Sequence, residues 1–182
     1  MRLVPEWNDH SKCLIAWPCN HDLYGNQIHE ARIEIANLAN QISEEEEVYI
    51  YCNKIDYKKC FKMISNKNIS ISHSKNIIAI IVSKKNVALD IEMISKKPLK
   101  IKDKFLSSHD KISHTIEATT LAWSAKETIY KLHQKGGIDY KSDIKIKEIN
   151  REKNQIYVLF KDNNIVLNYN KLNNHFLVYV CI

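Results

Sequence analysis

Two carboxylates, Asp90 and Glu92, stand two residues apart in "VALDIE" (87–92), and a third, Glu127, lies in "WSAKETIYK" (123–131) between Lys126 and Lys131. Residues i and i+2 of a strand share a face, so Asp90 and Glu92 project together. Two such charges repel unless a cation or a shared proton lies between them. With Glu127 added, the set becomes three hard oxygen donors, which suits Mg²⁺ or Mn²⁺ with positions left for water and phosphate oxygens. The competing reading is ordinary surface chemistry. Glu127 and Lys131 are four apart in the favourable Glu-before-Lys order, and an exposed strand face often carries a D-x-E pair.

In "SISHS" (70–74), His73 sits between two serines at the end of a run that reads as a strand. A Ser, His and Asp set suggests a hydrolase triad, but no G-x-S-x-G elbow accompanies it, so that reading is set aside. The chain has only three glycines, Gly25, Gly136 and Gly137, and none lies in a glycine-rich phosphate loop. Any phosphate held here must therefore be held by lysine, histidine and a metal. The five cysteines are odd in number and include no C-x-x-C, so neither a disulfide framework nor a zinc site is signalled. There is no apolar run of membrane-spanning length and no signal-peptide pattern, and the expectation is a cytoplasmic protein with reduced thiols. Residues 1–66 carry 7 basic and 10 acidic side chains, net −3, whereas 67–182 carry 20 and 11, net +9. The second part thus favours an anionic partner, although lysine-rich, AT-rich coding explains the excess equally well.

The elements that must position these residues follow from periodicity. "CLIAW" (13–17) and "EVYIYC" (47–52) read as strands, and between them Ile28, Ala31, Ile35, Leu38 and Ile42 mark one face of a helix. A shorter helix is expected near 56–64 and a strand at 68–73. "IIAIIVS" (77–83) and "VALDIE" look like a strand pair joined by a turn-like K-K-N. A lysine-rich loop, a long helix over about 116–133 ended by Gly136 and Gly137, and three or four further strands complete an α+β pattern.

Taken in order, S-H-S, D-I-E and W-S-A-K-E-x-x-x-K resemble the motifs of the 4′-phosphopantetheinyl transferase family, particularly its Sfp-type branch, over residues 68–182. The resemblance implies an antiparallel sheet packed on a long helix, and a holo-[acyl-carrier-protein] synthase type of enzyme. Such an enzyme moves the phosphopantetheine arm of coenzyme A to a serine of an apo acyl or peptidyl carrier protein in fatty acid, polyketide or nonribosomal peptide biosynthesis. It also implies that Asp90, Glu92 and Glu127 hold Mg²⁺ on the coenzyme A pyrophosphate, and that His73, Lys126 and Lys131 contact phosphate. Glu127, or a metal-bound water, would take the serine proton with Lys131 beside it. The acidic carrier would meet Lys96, Lys97, Lys100, Lys102 and Lys104; neither nucleic acid nor membrane is an expected partner. One departure is Ala88-Leu89 where the family has glycine before the metal-binding aspartate. The other is the absence of the family's first half, with its G-K-P-like segment.

In place of that half, "RLVPEWNDHSKCLIAWPCNHDLYGNQIHEARIEIANLANQI" resembles the N-terminus of agmatine deiminases, with "PEW" and "AWP" in the family's positions. The expected division is a deiminase-like βαβ segment over 1–67 and a transferase-like domain over 68–182, joined near "NKNISI". Deiminase chemistry does not carry over, because that family's nucleophilic cysteine and its partners lie farther along a longer chain. Two outcomes remain open for function: phosphopantetheine transfer, with a second copy of the chain closing the cleft, or a non-catalytic product that keeps metal and phosphate ligands without a complete coenzyme A cleft.

Overall fold

The computed structural model describes residues 12–53, 55–64, 68–75 and 77–182. The P-E-W segment at 5–7 and the first part of the expected join, 66–67, lie outside the described residues. β1 (Lys12–Ala16) and β2 (Glu47–Asn53) are parallel neighbours, with Lys12 opposite Glu47. Parallel neighbours need a crossover, and the chain supplies α1 (His21–Tyr24) and α2 (Ile28–Ile42) between them. Asn20 starts α1 by accepting from the N–H groups of Asp22 and Leu23. α2 buries Ile28, Arg32, Ala36 and Ala39, one stripe at helical spacing. The charge in that stripe is compensated: Arg32 donates to Asp56 at 2.7 Å and to the Pro18 carbonyl at 3.0 Å.

After α3 (Tyr57–Met63), β3 (Asn68–Ser74) and β4 (Ile77–Ser83) complete a first sheet of order β1-β2-β4-β3. The division expected at residue 67 therefore falls inside one sheet, since β4 is hydrogen-bonded to β2 on one side and β3 on the other.

β5 (Val87–Met93) does not pair with β4, which corrects the expected strand pair. It pairs with β9 (His175–Cys181) at the edge of a second sheet, β5-β9-β8-β7-β6, whose other strands are β6 (Ile144–Asn150), β7 (Gln155–Phe160) and β8 (Asn163–Leu172). The reason is that both runs are apolar on two faces. Ile78, Ile80 and Val82 of β4 pack with Ala36, Ala39 and Cys60 under the helices. Ala79 and Ile81, on the opposite face, meet Leu89, Ile91, Leu177 and Tyr179 of the second sheet. A hairpin would leave one of those faces in water, whereas stacking the sheets buries both.

The long helix α5 (Ile116–His133) lies on the other face of the second sheet, preceded by α4 (Lys96–Lys100). Thr115 caps it, accepting from the Ala118 N–H at 3.2 Å. Its buried side, with Leu121, Ala122, Ala125 and Ile129, meets Ile144, Ile146, Ile156, Val158 and Val178. The left-handed position that ends it is Gln134, with Gly136 and Gly137 following at positive φ. The architecture is mixed α+β, two sheets with few helices. Among the described residues no helix is long and apolar enough to cross a membrane.

Candidate metal and phosphate site

β5 is an edge strand of the second sheet, so among the described residues the N–H groups on its outer side have no strand partner. β3 supplies side chains instead. Ser70 accepts from the Leu89 N–H at 3.0 Å, Ser74 accepts from the Met93 N–H at 3.0 Å, and between them Ser72 donates to Asp90 at 2.8 Å. Three serines at i, i+2 and i+4 on one face thus tie the two sheets together beside the D-x-E pair.

Asp90 is only 4% exposed, and three donors compensate its burial. Ser72 and the Lys131 ammonium each lie 2.8 Å from Oδ1, and Ser124 of α5 lies 2.8 Å from Oδ2. Lys131 also reaches the Leu89 carbonyl at 3.1 Å. Strand alternation places Glu92 on the face of Asp90, where it accepts from the Trp123 indole at 3.1 Å. Trp123 is fixed edge-on against Phe105. Glu127, one helical turn before Lys131, has the Tyr140 phenol as its polar neighbour.

The carboxylates influence one another electrically. Burial first, and then the charge of Asp90, push the Glu127 carboxyl up, while Lys131 and Tyr140 pull it down. Glu92 is raised by burial and by Asp90, and more weakly by Glu127, against the Trp123 hydrogen bond and Lys97. The Tyr140 phenol is raised by burial and by Glu127. The cluster therefore holds more negative charge than its solvation supports.

In this arrangement the compensating cation is Lys131. Among the described residues, no group of three or more His, Cys, Asp and Glu side chains is arranged to hold a metal ion. The donors are of the right chemistry for a hard cation, but Lys131 occupies the Asp90 oxygen that such an ion would need.

Two expected phosphate ligands lie elsewhere. Lys126 is wholly buried, and its ammonium is taken up by Asp110 at 3.0 Å and by the carbonyls of Tyr140 and Ile144 at 2.8 and 2.6 Å. It is a core ion pair that fastens α5 to β6 and to the loop before the helix. Adjacent positions on a helix point about 100° apart, so a lysine next to Glu127 cannot share its surface. His73 is exposed, and the same alternation that turns Ser72 toward Asp90 turns His73 to the opposite face of β3. The residues that sequence reasoning missed are Ser72, Ser124, Trp123 and Tyr140. Only the period-2 serines of "SISHS" carried a signal for them.

Residues 2–90 match the Porphyromonas-type peptidyl-arginine deiminase family, just under half of the chain. The match runs beyond the deiminase-like segment expected at 1–67, through β3 and β4 to Asp90. No curated protein matches the chain. The match corrects the enzyme class: the likeness found is to a deiminase-type family. The holo-[acyl-carrier-protein] synthase assignment, with its carrier-protein and biosynthetic setting, is withdrawn.

Proposed function

We propose that the chain is a non-catalytic binding module whose carboxylates Asp90, Glu92 and Glu127 take up Mg²⁺ together with the pyrophosphate of a ligand of the coenzyme A type. The observation that carries this reading is the crowding of Glu92 and Glu127 around Asp90, with one lysine as the only close countercharge on Asp90 among the described residues. A divalent ion relieves that repulsion better than one ammonium, and a phosphate gives the displaced Lys131 a new partner. Lys131 is 27% exposed at the side chain, so it can turn outward without leaving the core.

Beside the cluster, Lys96, Lys97, Lys100 and Lys104 are exposed on α4 and the turn after it. Their charge suits an acidic protein as the partner that presents or receives the ligand. The deiminase-matched residues 2–90 include β1, β2 and the serine-bearing β3 whose side chains hold Asp90.

Isothermal titration of the full chain with coenzyme A, with and without Mg²⁺, tests this. Binding that requires Mg²⁺ and is lost in Asp90→Asn is expected. Equal binding without Mg²⁺, or by the Asp90→Asn variant, would overturn the site. In a parallel incubation with apo carrier proteins no phosphopantetheine mass should be added; a mass gain would overturn the non-catalytic part alone.

A further inference from the structure

A cleft of about 690 Å³ opens at the other end of α5, between the first helical turns, the loop before them and the β6–β7 end of the second sheet. Its floor is apolar, built by Ala118, Leu121, Ile149, Tyr169 and Phe176. Its rim is basic, with Lys111, Lys147, Arg151 and Lys171. Lys171 is spent on Glu117 at 2.7 Å. The other three cations form no ion pair among the described residues, and the remaining rim carboxylate, Glu148, accepts only from Asn150 at 3.4 Å.

Lys147 is brought to this rim by a backbone irregularity. The β6–β7 register slips between Ile146 and Glu148, so Lys147 is an extra residue with no partner on β7. A bulge of this kind re-aims one side chain and interrupts the alternation that would otherwise place it. The bulge is anchored from the cleft side, where the Lys111 N–H donates to the Ile146 carbonyl at 2.9 Å. Glu117 stands ten residues before Glu127 on the same helix, about 15 Å along its axis, so the cleft is separate from the carboxylate cluster.

A concave site of this volume, with an apolar floor and a rim on which four cations outnumber the carboxylates Glu117 and Glu148, has the build of a small-molecule site. We propose that this cleft binds an amphiphilic anion, a carboxylate or phosphate monoester head on an apolar chain, with the head between Lys111, Lys147 and Arg151 and the chain on the Leu121–Phe176 floor. The inference is independent of the reading of the carboxylate cluster.

The experiment is calorimetric titration of the full chain with dodecanoate, dodecyl phosphate and dodecanol, each below its aggregation limit. One anion or both should bind with one-to-one stoichiometry, and the better of them shows which head is preferred. Dodecanol should bind at least tenfold more weakly, because it keeps the chain and loses the charge. Lys147→Glu with Arg151→Glu should weaken the anion at least tenfold while leaving the circular dichroism spectrum and melting temperature unchanged, since both side chains are exposed. Absence of binding by both anions would overturn the proposal. So would affinity equal to that of dodecanol, or affinity unchanged in the folded double variant.

Discussion

The ammonium of Lys131 lies 2.8 Å from Oδ1 of Asp90, and this one contact both completes the buried carboxylate and sets a fixed positive charge where a metal ion would have to displace it. Removing the cation should therefore separate two effects. In Lys131→Met, Mg²⁺ alone should bind more tightly, by about tenfold or about 1.4 kcal/mol, because the ion no longer competes with a fixed positive charge. Coenzyme A should bind more weakly in the same variant, having lost the phosphate's partner. Titrations of each ligand into the two proteins measure both; a Mg²⁺ affinity unchanged by the substitution would show that the ion does not use Asp90.

The pH dependence of the apo fold should carry the mark of Glu92 and Glu127. Both carboxyls are raised in the folded state, chiefly by burial and then by Asp90. A raised acid binds more protons folded than unfolded, so stability falls as pH rises from the ordinary glutamate value of about 4.3 through the elevated one, and is level above it. Glu127→Gln removes one such group. Its melting temperature at neutral pH should equal or exceed that of the parent, and the decline on leaving acid should be shallower. A variant that melts lower at pH 7 and keeps the parent's slope would refute this account.

Lys126 and Asp110 are 0% and 1% exposed and 3.0 Å apart, so each leaves the other charged in the core when it is removed. Lys126→Ala should cost about 3–5 kcal/mol in urea denaturation, the range for breaking a buried pair by truncating one partner. A lysine that served a ligand would instead leave stability intact and reduce binding.

The serine ties should be visible in amide exchange. Ser70→Ala and Ser74→Ala each strand one N–H of β5, at a cost of about 1–3 kcal/mol for an unmade bond in a buried place. The amides of Leu89 and Met93 should then exchange faster in the matching variant, and those of β9 should not. Equal exchange in parent and variants would mean that water already serves those groups.

Much of the scaffold was legible because the chain is strongly patterned. α5 and the alternating strand β7 declare themselves through period and turn residues. α2 is a helix as expected, but its buried stripe is Ile28, Arg32, Ala36 and Ala39, and Leu38 of the expected stripe is 44% exposed, because the paired Arg32 and the small alanines face the sheet. What could not be read was partnership. "IIAIIVS" and "VALDIE" are both apolar on two faces, and adjacency in sequence suggested a hairpin where stacking of two sheets buries more. The candidate site shows the same division. Asp90 and Glu92 follow from strand alternation, and Glu127 comes near them because α5 packs on that face of β5. Lys126 and His73 were misplaced because a motif names neighbours in sequence, while a helix turns adjacent residues apart and a strand turns them to opposite faces. Ser124 and Tyr140 had no local signal, since their roles arise only when α5 and the loop after it meet β5.

His175 supplies the last test, at the place where the second sheet meets the end of β3. It is 9% exposed at the start of β9, and neither ring nitrogen has a hydrogen-bond partner among the described residues. Burial first, and then the charge of Lys75, hold its pKa below the ordinary histidine value. The folded state therefore keeps the ring neutral at a pH where the unfolded chain begins to take up a proton. Stability from this group is full above the unfolded value of about 6.5 and is lost as pH falls from there through the depressed folded value. His175→Phe keeps an aromatic ring in an apolar seat and cannot be protonated. The variant should match or exceed the parent's stability at pH 7.5, and between pH 6.5 and 5 it should lose less in urea denaturation. A loss that stays the same in parent and variant over that interval would show that His175 finds a partner for its proton in the fold.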